Sequence, residues 1–237
     1  MKINLKSNER IDDLQLKGYR IIQQRSGFCF GIDAVLLSDF AKIKEGEKVL
    51  DLGCGTGILP ILLAGKTKGE HFTGLEIQEG SVELAKRSVN LNQLEDRISI
   101  IHGDIKEARH ILEPAFFDVI ITNPPYMLRN QGFKNLNNQK TIARHEVHCT
   151  IDDILRTSME LLLDRRGRFY MIHRPFRLGE IITKMSQYKI EVKGLQFVHP
   201  SLDKEPTMVL IEGLRGGKTG MIVEPPLLLD RILLSSK

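Results

Sequence analysis

Short apolar segments that alternate with stretches of helical periodicity restrict this chain to one fold class. Seven segments have the length and composition of strands: 48–52, 71–77, 97–101, 117–122, 168–173, 190–198 and 207–212. Apolar residues at helical spacing occupy 32–41, 56–64, 81–92, 105–112, 151–163 and 176–187. This alternation predicts an α/β fold with a mostly parallel seven-stranded sheet, helices on both faces and a terminal antiparallel pair. Ligands of such sheets bind at the carboxyl ends of the strands.

A glycine-rich turn follows the first core strand, with Gly53, Gly55 and Gly57 directly after Leu52. Glycine permits positive φ and lets the backbone pass close to a ligand. The Gly-x-Gly-x-Gly spacing differs from the Gly-x-Gly-x-x-Gly of dinucleotide sites, and no Gly-Lys-Ser/Thr of a phosphate-binding loop follows. The pattern therefore argues against nicotinamide, flavin and P-loop enzymes. It leaves two roles for the turn, a different ligand or tight strand-helix packing.

Acidic residues follow the next two strands. Glu76, at the end of the second strand, can accept hydrogen bonds from both ribose hydroxyls of a bound nucleoside, or it can simply face solvent. Asp104, after the third strand, can accept a hydrogen bond from an adenine amino group, or it can cap the next helix. With the glycine turn, the two acids favour a cofactor that contains a nucleoside.

The fourth strand runs into the turn Asn123-Pro124-Pro125-Tyr126. Such a turn places an amide side chain, two rigid carbonyls and an aromatic ring on one small surface. That surface suits a planar NH2 group, because the group offers two N–H donors and a π-face. A Pro-rich turn that only ends the strand is the alternative.

Positive charge is concentrated in the half of the chain that begins at this turn. Residues 1–118 contain 16 Lys and Arg against 18 Asp and Glu, whereas residues 119–237 contain 18 against 12, a net charge of +6. This distribution favours a polyanionic substrate over a merely solvated surface, because phosphate contacts supply much of nucleic-acid affinity. Candidate contacts in the long polar segment 127–150 are Arg129, Lys134, Lys140, Arg144 and His145, and an arginine cluster follows at Arg165, Arg166, Arg168, Arg174 and Arg177.

These motifs, in this order and spacing, resemble the Rossmann-like class I S-adenosylmethionine-dependent methyltransferases that methylate amino groups. Four further segments resemble the bacterial tRNA1(Val) (adenine(37)-N6)-methyltransferase family: 19–23, 30–37, 143–146 and 204–206. The resemblance extends from about Leu14 to about Leu228.

The resemblance implies S-adenosyl-L-methionine as the cofactor and N6-methylation of an adenine in tRNA, beside the anticodon at position 37. It implies that Asn123, Pro124 and Tyr126 act on the acceptor base. It assigns the cofactor to Phe30, Asp33, Asp51, Gly53, Gly55, Gly57, Glu76, Ile77, Asp104, Ile105 and Asn123. Residues 1–45 would form an extension that closes over the cofactor, and 46–237 the methyltransferase domain. None of the seven histidines is assigned to catalysis.

Other acceptors for the same chemistry are an adenine in ribosomal RNA and the glutamine amide of a release factor, which is also a planar NH2 group. DNA adenine methylation usually requires a sizeable recognition domain, for which we see no room, so we expect no DNA partner. A non-enzymatic RNA-binding module would have no reason to keep both the glycine turn and the Asn-Pro-Pro-Tyr turn.

Composition is consistent with a reduced, cytoplasmic setting. The three cysteines are odd in number and widely spaced, which indicates neither a disulfide framework nor a zinc site. No apolar run approaches the roughly 20 residues that span a bilayer, and the first residues lack the apolar core of a signal peptide. We therefore expect no bound metal, no membrane association and no obligate protein partner.

Overall fold

A mostly parallel sheet dominates the part of the chain that this computed structural model describes, which is residues 5–25, 31–125 and 149–230. An amino-terminal hairpin of β1 (Glu9–Asp13) and β2 (Arg20–Gln24) lies outside that sheet. The sheet itself contains β3 (Lys48–Leu52), β4 (His71–Glu76), β5 (Ile98–His102), β6 (Val119–Thr122), β7 (Arg168–His173), β8 (Ile190–His199) and β9 (Met208–Arg215), with the two-residue strands β10 (Ile222–Val223) and β11 (Leu227–Leu228).

The seven longer strands lie in the order β5-β4-β3-β6-β7-β9-β8, and β9 alone among them is antiparallel to its neighbours. This confirms the predicted mostly parallel sheet with its antiparallel pair. The short strands β10 and β11 add to the outer side of β8. The chain builds outward from β3 to β5 and then crosses back to place β6 on the other side of β3. The boundary between β3 and β6 is therefore the topological switch point, where such sheets bind ligands.

Helices cover both faces of the sheet. The helices α1 (Ile32–Phe40), α2 (Ile58–Lys66) and α3 (Glu79–Leu91) lie on one face, and α4 (Ala108–Ile111), α5 (Ile151–Leu161) and α6 (Leu178–Gln187) on the other. Alternate strand residues supply the two cores: Val49 is buried in the first, and its neighbour Leu50 in the second. This burial on both faces explains why the strands are apolar throughout rather than alternating.

Local sequence explains where several helices begin. Thr150 and Asp153 form a reciprocal capping box at the start of α5. The predicted helix at 56–64 begins only at Ile58, because Gly57 has a left-handed φ of 83°. The predicted helices at 105–112 and 176–187 both open with a 3-10 turn, Ile105–Glu107 and Pro175–Arg177. Pro175 fixes the first φ of the second turn.

Strand boundaries shift where a tertiary contact outweighs local sequence. Phe117, predicted to start the fourth strand, instead forms an isolated bridge to Leu162, and β6 begins at Val119. The Phe117 N–H donates to the Leu161 carbonyl at 3.1 Å, and its own carbonyl accepts from the Leu163 N–H at 2.8 Å. These bonds tie the entry of β6 to the end of α5.

The amino-terminal hairpin, which the sequence did not indicate, packs on α2 and α3. The Ile22 N–H donates to Ser88 Oγ at 3.0 Å, and the Arg87 guanidinium donates to both carboxylate oxygens of the buried Glu9 at 2.8 Å. At Gly65 of α2, an added Cβ would lie 2.6 Å from Leu16, so only glycine admits the hairpin this closely.

Phe30 lies outside the described residues, and closure of residues 1–45 over the cofactor stays a prediction.

Candidate active site

The ends of β3, β4, β5 and β6 meet at one edge of the sheet, and backbone hydrogen bonds join them. The N–H groups of Gly53 and Cys54 both donate to the Leu75 carbonyl, at 2.9 and 3.1 Å. The Gly103 N–H donates to the Glu76 carbonyl at 3.0 Å. The segments that carry the predicted cofactor residues after these strands therefore lie side by side.

The glycine turn leaves open space above its backbone. Gly53 and Gly55 have φ of 78° and 53°, which L side chains rarely adopt. An added Cβ would have no neighbour within 4 Å at Gly55, and at Gly53 only Ile105 Cδ1 at 4.0 Å. Gly57 also serves packing, because a Cβ there would lie 3.2 Å from Ala85 Cβ, and its predicted contact with the cofactor stays a prediction. The first two glycines thus form a cradle that a ligand can enter, and the third allows close packing on α3.

Glu76 is oriented by the backbone around it. The residue is 5% exposed, and its Oε2 accepts from the Gly55 N–H at 2.9 Å while Oε1 accepts from the Gln78 N–H at 2.8 Å. Each carboxylate oxygen keeps a second lone pair for a ligand hydroxyl. The ribose-binding role of Glu76 stays a prediction, and this geometry is compatible with it.

Asp51 is a buried acid that lacks a protein partner. It is 2% exposed, and within the described part of the chain neither of its carboxylate oxygens has a hydrogen-bond partner. Burial, together with the charge of Glu76, raises the pKa of Asp51 well above its ordinary value. A buried carboxylate is stabilised when a cation pairs with it. The site therefore fits S-adenosyl-L-methionine, whose methionine portion carries cationic groups.

Cys54 fills the space beneath the glycine turn. A Cβ at Gly74 would lie 2.6 Å from Cys54 Sγ, so the glycine on β4 makes room for this thiol. Burial, followed by the charges of Asp51 and Glu76, raises the pKa of Cys54 well above its ordinary value. The neutral, buried thiol is a packing group. The contact between Cys54 and Gly74 could not be predicted from the sequence alone.

The remaining predicted cofactor residues lie around this edge. Asp104 caps the 3-10 turn that follows β5, since its Oδ1 accepts from the Lys106 N–H at 2.9 Å. The capping role that the sequence left open is therefore present, and the adenine role stays a prediction. Ile77, which follows Glu76, is 41% exposed. Asp33 lies in the first turn of α1 and accepts from the Ala34 N–H at 2.9 Å.

The turn that starts at Asn123 begins directly beside the glycine turn. Thr122, the last residue of β6, is fully buried, and its Oγ1 donates to the Leu52 carbonyl at 2.8 Å. Asn123 is then half-buried and Pro124 is buried. Thr122 is a positioning residue that sequence reasoning missed, because a threonine at a strand end has no distinctive pattern. Tyr126 lies outside the described residues.

The candidate RNA contacts are not all at this edge. Arg129, Lys134, Lys140, Arg144 and His145 lie outside the described residues. Arg165, Arg166 and Arg168 lie at the amino-terminal end of β7, and Arg168 is tied to Glu47 and the Lys42 carbonyl. Six residues of strand, about 20 Å, separate them from Arg174 and Arg177 at the site edge. The structure therefore divides the predicted arginine cluster.

Two negative findings concern the described residues alone. In the ranges 5–25, 31–125 and 149–230, no group of three or more His, Cys, Asp or Glu side chains is placed to hold a metal ion. None of the helices placed in those ranges combines the length and the apolar character needed to cross a bilayer.

Comparison with known proteins places this geometry among methyltransferases. The family model for the methyltransferase small domain matches residues 31–190. The chain is 30% identical over 206 residues to the tRNA1(Val) (adenine(37)-N6)-methyltransferase of Vibrio campbellii (strain ATCC BAA-1116), covering 84% of this chain and 83% of that protein. It is 29% identical over 187 residues to the protein of the same name from Aliivibrio salmonicida (strain LFI1238), covering 78% and 77%.

Solved structures show the same fold at lower identity. A predicted O-methyltransferase from Agrobacterium tumefaciens, protein Atu636, superposes with a TM-score of 0.67 at 22% identity, covering 83% of this chain and 87% of that chain. Geranyl diphosphate C-methyltransferase from Streptomyces coelicolor A3(2), solved with S-adenosyl-L-homocysteine, has a TM-score of 0.58 at 12% identity, covering 77% and 76%. Both agree with the predicted class I methyltransferase fold.

Proposed function

Because this chain belongs to the methyltransferase small domain family, we propose that it transfers a methyl group to the exocyclic N6 of an adenine in tRNA, beside the anticodon at position 37. The enzyme class and its S-adenosyl-L-methionine cofactor follow from the family. The choice of tRNA is supported by the names of the relatives from Vibrio campbellii and Aliivibrio salmonicida.

One observation carries the proposal, the adjacency of Asn123-Pro124 and the glycine turn. Both follow strands that are hydrogen-bonded neighbours at the switch point, with Asp51 of β3 in register with Ile121 of β6. The Thr122–Leu52 hydrogen bond of 2.8 Å holds the two strand ends together. An acceptor nitrogen held by Asn123 and a donor held above Gly53 and Gly55 would therefore be close neighbours. Such positioning is the protein's main contribution when a cofactor supplies the reactive group.

The acceptor turn is suited to activate a poor nucleophile. The lone pair of an adenine amino group is delocalised into the ring. Asn123 Oδ1 and the Pro124 carbonyl would accept one N–H each, which returns electron density to the nitrogen and fixes its direction. The ring of Tyr126 would stack on the base and set its plane. The two prolines restrict the backbone φ, so the acceptors are preorganised.

The cofactor residues act by binding and orientation. S-adenosyl-L-methionine, when bound, supplies an electrophilic methyl group on a sulfonium. Asp51 would pair with the cationic methionine portion, and Glu76 would accept hydrogen bonds from the ribose hydroxyls. The backbone of Gly53 and Gly55 would allow the close approach that both contacts require. The acceptor proton can leave after transfer, so the site needs no general base.

Two partner assignments complete the proposal. The target base must leave its stack, which costs least in an RNA loop where the base is already partly exposed. Because the proposed substrate is tRNA, we propose that the protein acts in the cytoplasm. We also propose that it needs no obligate protein partner and binds neither DNA nor a membrane.

The test is methyl transfer from labelled S-adenosyl-L-methionine to unmodified tRNA, ribosomal RNA and release factor in parallel, followed by mass spectrometry of the digests. We expect N6-methyladenosine in the tRNA digest. Label in ribosomal RNA alone would show that ribosomal RNA, and not tRNA, is the substrate. Label in the release factor alone would make Asn123 and Pro124 a glutamine site and refute the proposed function.

A further inference from the structure

The turn between β7 and α6 exposes one aromatic ring on an otherwise well-packed surface. Phe176 is 56% exposed, and it is the only aromatic residue among the large exposed apolar side chains of the described residues. It lies in the 3-10 turn Pro175–Arg177. Its neighbours Arg174, Pro175, Arg177 and Leu178 are all at least partly buried. Phe176 alone projects from this turn into solvent.

The exposure of Phe176 does not come from a loosely held loop. Arg174 Nη1 donates to the Thr207 carbonyl at 2.9 Å, which joins the turn to the start of β9. Arg177 donates from Nε and Nη2 to the two carboxylate oxygens of Glu180, each at 3.0 Å. Pro175 restricts the backbone further. The polar residues around the ring hold the backbone in place and leave the ring itself uncovered.

The ring lies at the edge of the sheet that carries the acceptor turn. β7 is parallel to β6 and hydrogen-bonded to it, so His173 ends β7 on the side where Thr122 ends β6. Neighbouring strands are about 4.8 Å apart. Phe176 follows His173 by three residues, and three residues span at most about 10 Å, so the ring lies near the carboxyl end of the strand next to β6. A nucleotide that flanks a base held at Asn123 is within reach of such a surface.

We propose that Phe176 is a stacking platform for a nucleotide adjacent to the target adenine. The inference rests on the proposed function and adds a substrate-positioning contact to it. Removing the target base from its stack leaves a neighbouring base with one face uncovered. An aromatic ring replaces that stacking partner regardless of base identity.

The test compares binding of one RNA by full-length variants. The substrate is unmodified tRNA that carries 2-aminopurine at one of the two nucleotides next to the target adenine. The fluorescence of 2-aminopurine is quenched by stacking. We expect Phe176→Ala to bind this tRNA about tenfold more weakly, which corresponds to about 1.4 kcal/mol, and to lose most of the quenching at one of the two positions. Phe176→Tyr keeps an aromatic face and is expected to bind and quench as the parent protein does. Cofactor affinity is expected to be unchanged in both variants.

Two further variants separate stacking from other effects. Ile222→Ala removes a 65% exposed side chain on β10, at the outer side of β8, and is expected to change neither affinity nor quenching. Phe176→Leu keeps apolar volume without a π-face, and we expect it to behave as Phe176→Ala does.

Equal behaviour of Phe176→Ala and Ile222→Ala would overturn the inference. Full RNA affinity in Phe176→Leu would overturn it as well, because the contact would then be a general apolar one. A parent protein that binds and methylates no tRNA would refute the proposed function before any variant is compared, and with it the nucleotide partner of Phe176. If the parent protein methylates tRNA but Phe176→Ala keeps full RNA affinity and quenching, the stacking role is refuted and the proposed function stands.

Discussion

Binding of the methyl donor should release a proton from Asp51. Burial and the neighbouring Glu76 carboxylate raise the pKa of Asp51, and no described group donates a hydrogen bond to it. A cationic ligand beside the carboxyl favours the ionised form and lowers its pKa. The pKa is therefore higher in the free protein than in the complex. Between these two values the proton is released on binding, and affinity rises with pH until the free protein has itself ionised.

The size of the effect is limited by the single carboxyl. At most one proton leaves for each donor bound, so affinity changes by at most tenfold per pH unit, or 1.36 kcal/mol. Asp51→Asn has no proton to lose and no charge to pair with the ligand. We expect it to bind the donor weaker by about 1.5–3 kcal/mol, the range of a hydrogen bond to a charged group.

Isothermal titration in buffers of different ionisation enthalpy measures the proton release directly. The slope of the observed binding enthalpy against the buffer ionisation enthalpy gives the number of protons released for each donor bound. Repeated across a range of pH, the titration should show up to one proton released between the pKa values of the free protein and the complex, and a slope of zero throughout in Asp51→Asn. Asp96→Asn, an exposed acid before β5 at the opposite edge, is the matched control and should keep the parent slope. A parent slope of zero, or an unchanged slope in Asp51→Asn, would refute the reasoning.

Three other predictions concern Asn123, Glu76 and the amino-terminal hairpin. Asn123 is assigned to both cofactor and acceptor by the resemblance, and we expect its main contact to be with the acceptor. Asn123→Ala should therefore abolish methyl transfer and leave donor affinity nearly unchanged, measured by tRNA methylation and titration of the same preparation. Glu76→Ala should weaken donor binding by about 1–3 kcal/mol, because it also frees the Gly55 and Gln78 N–H groups that the carboxylate now holds. Hydrogen bonds from Arg87 lower the pKa of Glu9 to about 2. The stability from this pair is present above about pH 4.5 and is lost as pH falls towards 2. Glu9→Gln should therefore cost about 1–2 kcal/mol of unfolding free energy at neutral pH, after allowance for solvent at Arg87, and little near about pH 2.

Each of these predictions has an outcome that would contradict it, and the hairpin also offers a control variant. Collapse of donor affinity in Asn123→Ala would contradict the division between donor and acceptor residues, and unchanged affinity in Glu76→Ala would remove Glu76 from the donor site. For the hairpin, Glu83→Gln removes a half-exposed acid that pairs with the exposed Lys6 at 2.8 Å and lies farther from Arg87, at 3.7 Å. Exposed pairs contribute little, so this substitution should have a smaller effect on urea unfolding. A penalty in Glu9→Gln that is independent of pH would mean that lost packing, and not the ion pair, is responsible.

The core strands were predictable because each is a short apolar run bounded by a turn signal. Lys48–Leu52 and Arg168–His173 have the predicted bounds, and glycine or charged residues flank both. The hairpin was not predictable, since its segments mix charge and apolar residues and its anchor, Glu9 to Arg87, spans 78 residues of sequence. The boundary at Phe117 was wrong for the same physical reason, a contact with a distant segment that local pattern does not contain.

The edge of the sheet at which the candidate residues lie was predictable from the sequence, and the roles of those residues stay predictions. Parallel strands bring their carboxyl ends together, so the motifs at 53–57, 76 and 123–125 had to meet at one edge. The arginine cluster divided because 165–177 includes a complete strand whose two ends face opposite edges. Phe176 had no signal beyond being aromatic, because exposure is a property of the packed structure.

The hydrogen bond from Thr122 to the Leu52 carbonyl has a consequence for how such an enzyme can change substrates. It joins the strand that leads to the glycine turn and the strand that leads to Asn123, within the buried sheet. If the two turns have the roles proposed above, the line of approach between nitrogen and methyl group is set by the sheet and not by the segments that meet the substrate. Those segments can diverge without disturbing the reaction geometry, so substrate choice and chemistry can evolve separately on this framework.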